Sequence, residues 1–360
     1  MSRLLGIVLT VVLCAASLSA QQPKTEKLVL ELLTKTQALP FKMPAMPNLP
    51  GLPKMPKFGE PQRIIKGEAT YPTQAVEPIF VSVPADLKLA GNKLVLTVPK
   101  PMTAPPGPPP GPGGQQPPPG GKFEFTSNLY WHPDTAEGPI THSIQADFSG
   151  AGPGPGAPGP RVPQFNVGPL ADIDKTATGE ESKLAPTVVG KGQYVLNTGG
   201  MAVLDGFLPP IKVTQPESLA EVDLAQGIDV QWESVTGVRG YILNALGMEG
   251  TGMQGAKITS WVSTLHEPPA RVQHGYEQAT TIDDDLRDGI LLPPTATSCK
   301  VPPNVFTGKY TMFKLTVTAV GNDFYSTDGG ITVRGKIRAE WMGMKMGGMP
   351  GMPGAPGGGQ

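Results

Sequence analysis

The chain has 360 residues, with 29 Lys and Arg against 30 Asp and Glu, a formal net charge of −1 and no long run of one sign. That balance excludes the charge signature of a nucleic-acid or anionic-membrane binder. A quarter of the chain is glycine (46) or proline (43). These residues cluster between stretches of strand composition, which leaves roughly 220 to 240 residues to fold, enough for two small domains rather than one large enzyme core.

Residues 1–20, "MSRLLGIVLTVVLCAASLSA", place Arg3 before an apolar run from Leu4 to Ala16 and end on Ser19-Ala20. Charge, apolar run and small residues in that order predict an export signal cleaved near Ala20. A lipoprotein acylated at Cys14 is disfavoured, because Leu13 stands where a small residue is usual. With Cys14 removed, Cys299 is the remaining cysteine, so no intramolecular disulfide is expected. Cys299 reads as a small apolar residue of a strand. No later apolar run is long enough to span a membrane. The mature chain is therefore expected in the periplasm or outside the cell.

Residues 24–37, "KTEKLVLELLTKTQ", fit a short amphipathic helix, and Leu28, Leu30, Leu32 and Leu33 also fit a strand. "MPAMPNLPGLPKMPKF" follows, with proline at 44, 47, 50, 53 and 56. Met43, Met46, Leu49, Leu52 and Met55 each precede a proline, and Phe58 keeps the beat. Proline fixes φ and pushes the preceding residue out of the α region. The expected conformation is polyproline II, three residues per turn, reaching roughly 45–50 Å. The three-residue beat then gathers the Met, Leu and Phe side chains on one edge, a candidate docking stripe for the protein's own sheets or for a partner.

Alternating residues predict strands near 79–83 and 93–98. "TAPPGPPPGPGGQQPPPGGK" (103–122) lacks the collagen period and reads as a flexible linker, as does "GAGPGPGAPGP" (150–160). "KFEFTSNLYW" and "ITHSIQADFS" between them read as two more strands. "GQYVLNTGGMAVLDGFLPPIKVTQP" predicts a hairpin about Asn197-Thr198-Gly199-Gly200. These elements make a β-rich region over 59–206, and the last domain spans 207–341.

In that domain, "GIDVQWESVTGVRGYILNALG" resembles strands B and C of a fibronectin type III or immunoglobulin-like sandwich. Trp232 matches the strand-B tryptophan, and Val235 to Tyr241 match the turn into strand C. "FKLTVTAVGN" (313–322) resembles strand F, with Leu315, Val317 and Ala319 inward, and "ITVRGKIRAEW" resembles strand G. Phe313 stands where the corner tyrosine is usual, Tyr310 is out of step, and an insertion at about 250–300 separates C from F. "SNLYW", "YVLNTGGMAVLDGFLPPIKVTQP" and "LPPTATSCKVPPNVF", with the Met/Gly-rich tail, resemble an uncharacterised exported bacterial family. Tyr130-Trp131-His132 departs from its usual "YWG". That resemblance implies export and carries no activity.

Catalytic motifs are missing. No G-x-S-x-G occurs, and His266-Glu267 and His274 lack zinc-protease spacing and sit beside Pro268-Pro269. "DDDLRDG" (283–289) lacks calcium-loop spacing and reads as a solvated loop. "GGK" at 120–122 is followed by Phe123, not the Ser or Thr of a phosphate loop. His132 and His142 lie in predicted strands that would bring them close if paired. The tail, "WMGMKMGGMPGMPGAPGGGQ", crowds Met342, Met344, Met346, Met349 and Met352. Thioethers suit Cu(I) and equally suit an adaptable apolar contact. The composite expectation is a mainly β protein, with Pro/Gly-rich linkers and a disordered tail over 342–360, exported and non-enzymatic. It would bind or scaffold a protein or cell-envelope component, without a cofactor. The alternatives are a periplasmic Cu(I) protein using the tail, and a carbohydrate-binding module exposing Trp131, Trp261 or Tyr276.

Overall fold

The computed structural model describes residues 26–38, 59–71, 78–97, 121–148, 175–250, 254–273, 276–277, 281–328 and 331–347. In chain order the strands are β1 (Glu26–Ala38), β2 (Gln62–Tyr71), β3 (Ile79–Ser82), β4 (Lys93–Leu96), β5 (Gly121–Trp131) and β6 (Glu137–Phe148). They continue with β7 (Lys175–Leu184), β8 (Gly192–Leu196), β9 (Met201–Leu204), β10 (Val213–Gln215), β11 (Ile228–Trp232) and β12 (Val238–Glu249). The last are β13 (Gln254–Val262), β14 (Ser298–Val301), β15 (Tyr310–Gly321), β16 (Phe324–Asp328) and β17 (Ile331–Met346). Two short helices, α1 (Ala270–Gln273) and α2 (Ile282–Arg287), lie between β13 and β14. The protein is mainly β, as the alternating sequence predicts.

Ten strands join one mixed sheet in the order β6-β5-β13-β12-β15-β17-β1-β2-β7, with β16 beside the first part of β17. The sheet runs across the boundary placed at 206/207. β5 and β6 extend it on one side of the C-terminal strands, and β1, β2 and β7 extend it on the other. Two of its contacts are parallel, β1 with β17 and β13 with β5. The segment that fits helix or strand on sequence is the strand β1. Leu28, Leu30 and Leu32 are all fully buried on one face, the period-two burial of a strand rather than the wider spacing of a helix. Leu33, 5 % exposed, packs on the opposite face.

Two small sheets, β10-β11-β14 and β4-β3-β8-β9, cover one face of the large sheet. Trp232 of β11 packs at a 52° tilt on Tyr241 of β12, ring centroids 5.2 Å apart, and Phe306 meets Phe313 of β15 edge-on at 5.0 Å. At the other small sheet, Leu94 and Leu96 press on Gly67 of β2, where a Cβ would meet them at 3.1 and 3.0 Å. Leu204 of β9 presses likewise on Gly335 of β17. Gly335 and Gly343 share a face of β17, and Gly343 meets Leu219, which follows β10. Both small sheets thus stand on the same side, over one continuous apolar core. Each fully buried Leu, Ile or Phe of that core contributes about 1.5–3 kcal/mol.

The segment after β13 covers part of the opposite face. Ile242, Val262, Leu129 and Val320 of the sheet pack there against Val272, Tyr276, Ile282, Ile290 and Leu291. Leu292 exchanges backbone hydrogen bonds with Tyr241, 3.0 and 2.7 Å, which fastens this cover to the edge of β12. "DDDLRDG" is therefore largely helix rather than loop, with Asp283, Arg287 and Asp288 in solvent and Asp285 buried. Asp283, Asp284 and Asp285 form the body of α2, capped by Thr281, whose hydroxyl accepts from the Asp284 N–H. Asp285 is 1 % exposed. Its carboxylate accepts from Arg271 at 2.5 Å and from the Tyr276 hydroxyl at 2.6 Å.

Candidate functional site

The large sheet has one end at which the Met- and Pro-rich segments meet it. The parallel register sets Ala38, the last residue of β1, opposite Gly343 of β17. The chain leaves the sheet after Ala38, and the Gly59 N–H is back on the Gln37 carbonyl at 2.9 Å. The Met-Pro stretch 43–58 therefore lies inside one hairpin connection, β1 to β2, rather than in a spacer between separate bodies. β17 ends three residues past Gly343, at Met346, and the Met-rich tail continues from there. Gly121, within the segment 103–122 read as a linker, opens β5, and Phe148, which precedes the linker 150–160, closes β6. These two residues are paired with each other. The registers from β6 to β17 place them at the same end of the sheet.

The docking candidates Met43, Met46, Leu49, Leu52, Met55 and Phe58 lie outside the described residues, as do Met349 and Met352. Met342, Met344 and Met346 are not in a disordered tail. They stand on β17, because Trp341 before them and Gly343 among them face the core and hold the strand in register with β15. Alternation turns all three methionines to the opposite, uncovered face. Met342 is opposite Thr316, Met344 opposite Lys314, and Met346 opposite Met312. Met312 is in turn opposite Met248 of β12. Met248 and Met312 are half-buried, and Met346 is 47 % exposed. Sequence reasoning missed Met248 and Met312, since each is a solitary methionine in its own strand and only the register unites them.

On the core side of the same end, a cavity of about 240 Å³ is lined by Val222, Leu224, Phe306, Tyr310, Phe313 and Lys345. The Lys345 ammonium closes it by donating to the Val222 carbonyl at 2.6 Å. A larger cleft, about 540 Å³, opens near Glu31, Lys66, Glu68, Glu180 and Lys336. Its charges alternate in sign. Burial, and then the neighbouring Arg338 charge, lower the Lys336 pKa, while Glu31 opposes the shift. Arg338 is held by Glu31 at 3.3 Å and lies over the Tyr276 ring.

The other sequence candidates are dispersed. β5 and β6 do pair, but His142 is opposite Ser127, and His132 lies just past the end of β5. At about 3.3 Å per residue the two histidines are some 16 Å apart along the sheet. The His132 ring accepts from the Asp134 N–H within its own turn, and its carbonyl accepts from the Trp261 indole. Trp261 is fully buried and Tyr276 is 4 % exposed, so neither offers a ring to a sugar. Trp131, half-exposed, is left as the single platform, its indole donating to Glu137 at 3.0 Å. His274 lies outside the described residues. Cys299 is buried in β14, as expected, and desolvation with the nearby Asp134 charge pushes its thiol up to about 12. Among the described residues, no three His, Cys, Asp or Glu gather as a metal would need, and no helix is long and apolar enough to cross a membrane. No protein-family model, curated protein or solved structure matches the chain.

Proposed function

We propose that this is an exported, non-enzymatic binding or scaffolding protein whose working surface is the methionine-bearing end of the large sheet. The observation that carries this reading is the parallel pairing of β1 with β17. It roots the two Met-Pro-rich segments, 43–58 and 348–360, on adjacent strands. A segment that repeats apolar-proline at one root and again at its neighbour is suited to one shared contact, and methionine adapts to an irregular apolar partner. The strand arrangement supports the fibronectin type III-like reading of the C-terminal half. Its first, second and fifth strands (β10, β11, β14) face a sheet holding its third, fourth, sixth and last (β12, β13, β15, β17), the kind of split that defines immunoglobulin-like sandwiches. The apolar run after Arg3 supports export. The partner is a protein or cell-envelope component with an apolar groove.

The test is site-specific photocrosslinking in the native envelope, with the probe at Met46 or at Met349 in separate chains. Both positions are expected to trap the same partner, and deleting 43–58 is expected to abolish the Met349 adduct. Two unrelated adducts, or none, would refute the shared surface.

A further inference from the structure

Three methionines from distant parts of the sequence form a row across three neighbouring strands. Met248 of β12, Met312 of β15 and Met346 of β17 occupy directly opposed positions, Met248–Met312 being the last pair before the register shifts at Glu249. Directly opposed residues share a face, with Cβ atoms about 4.5–5.5 Å apart. Each thioether sulfur lies two bonds beyond its Cβ on an unbranched chain, so Met248 and Met346 can lean inward over Met312 from either side. Met344, opposite Lys314, is the diagonal neighbour of Met312 on the same face, still within reach of a long side chain. The row therefore puts three sulfurs, with a fourth beside them, within reach of one ion.

Ordinary packing does not explain why these residues are methionine. The apolar cover of this face, from Val272 to Leu291, sits on Ile242, Val262, Leu129 and Val320. Met248 lies six residues further along β12 than Ile242, and Met312 eight residues from Val320, beyond that cover. The same face of β15 carries Lys314 and Thr316 at its next two positions, the polar choice for a surface strand. Soft, neutral sulfur donors on a half-exposed face suit a soft monovalent ion and discriminate against Zn(II), Ca(II) and Mg(II), which take harder or charged ligands. The donors carry no proton to lose, so binding needs no particular pH. The ion keeps its +1 charge, and Lys314 is the nearest like charge on the face.

We propose that Met248, Met312 and Met346, with Met344 at the diagonal, form an all-thioether site for Cu(I) on the open face of the sheet. The site is distinct from the tail methionines Met349 and Met352 and does not depend on the partner contact proposed above.

The test is an anaerobic Cu(I) titration of the mature protein against a chromogenic chelator, beside Met312→Leu, Met346→Leu and a chain ending at Gly347. Met→Leu keeps volume and apolarity, and Met346 is exposed enough that its replacement leaves the fold intact. One equivalent is expected to bind, with its affinity unchanged in the chain ending at Gly347 and lowered at least tenfold in either Leu variant. X-ray absorption of the copper-loaded protein is expected to show a sulfur-only first shell. No competition with the chelator would overturn the proposal. So would a nitrogen or oxygen shell, or binding lost on truncation and untouched by Met312→Leu. That last result would put the copper in the tail, whereas the first would leave the row as an apolar docking stripe.

Discussion

Asp285→Ala tests how the cover is held on the second face of the sheet. The carboxylate is 1 % exposed and accepts from Arg271 at 2.5 Å and from Tyr276 at 2.6 Å. Removing it strands a guanidinium and a buried hydroxyl, and breaking such a pair costs about 3–5 kcal/mol. Arg271 keeps a quarter of its side chain in water, so part of its solvation is recovered and the lower end, about 3 kcal/mol, applies. For a folded body of this size that lowers Tm by roughly 6–12 °C. The assay is thermal and urea unfolding of wild type, Asp285→Ala, Arg271→Met and the double variant. A coupling energy of at least about 1 kcal/mol is expected between the two sites. Amide exchange should accelerate first over 263–292, the segment the carboxylate gathers. A loss below about 0.5 kcal/mol, the range of an ordinary surface change, would refute the reading of Asp285 as the anchor.

Two further outcomes follow from burial and close approach. The Cys299 thiol is held above its ordinary value of 9.0, up to about 12, so between about pH 9 and 12 the unfolded chain loses a proton that the folded chain keeps. Stability should therefore fall as pH rises through that window, the slope should shrink in Cys299→Ala, and thiol reagents at pH 8 should label the protein only after denaturation. Gly67→Val would drive a side chain into Leu94 and Leu96, whose methyls already stand 3.1 and 3.0 Å from a Cβ position. The expected loss is about 1–3 kcal/mol by urea unfolding, relieved in part by Leu96→Ala.

Local pattern announced most of the strands and none of their long-range partners. Ile79–Ser82, Lys93–Leu96, the Gly192–Leu204 hairpin, the strand ending at Trp232 and the first half of the strand around Leu315 alternate clearly, because one face is buried and the other wet. β1 was ambiguous because both its faces are covered, which puts Leu32 and Leu33 side by side and blurs the period. The parallel contacts β1–β17 and β5–β13 join residues some three hundred and one hundred and thirty positions apart. Nothing local encodes them. The acidic run at 283–285 looked solvated because the partners of Asp285, the Arg271 guanidinium and the Tyr276 hydroxyl, come from fourteen and nine residues earlier in the chain. Thr281 three residues before Asp284 was the readable sign of a helix start. Met342, Met344 and Met346 looked like tail because Gly343 stands among them and glycines follow. Gly343 is small because Trp341 and Leu219 fill the space beside it.

β1 lies parallel to β17, and this roots the two Met-Pro-rich segments at one end of the sheet. Gln37 is opposite Met342 and on the same face, whereas Thr332, at the far end of β17, is opposite Lys27. Facing residues of paired strands lie within disulfide reach, while ten residues of strand separate Met342 from Thr332 by about 33 Å. The measurement is oxidative crosslinking of Gln37→Cys combined with Met342→Cys or with Thr332→Cys, in a Cys299→Ala background. Rapid disulfide formation is expected in the first pair and none in the second. Crosslinking of Gln37→Cys to Thr332→Cys instead would make the strands antiparallel, place the roots of the two segments at opposite ends of the sheet and refute a shared surface.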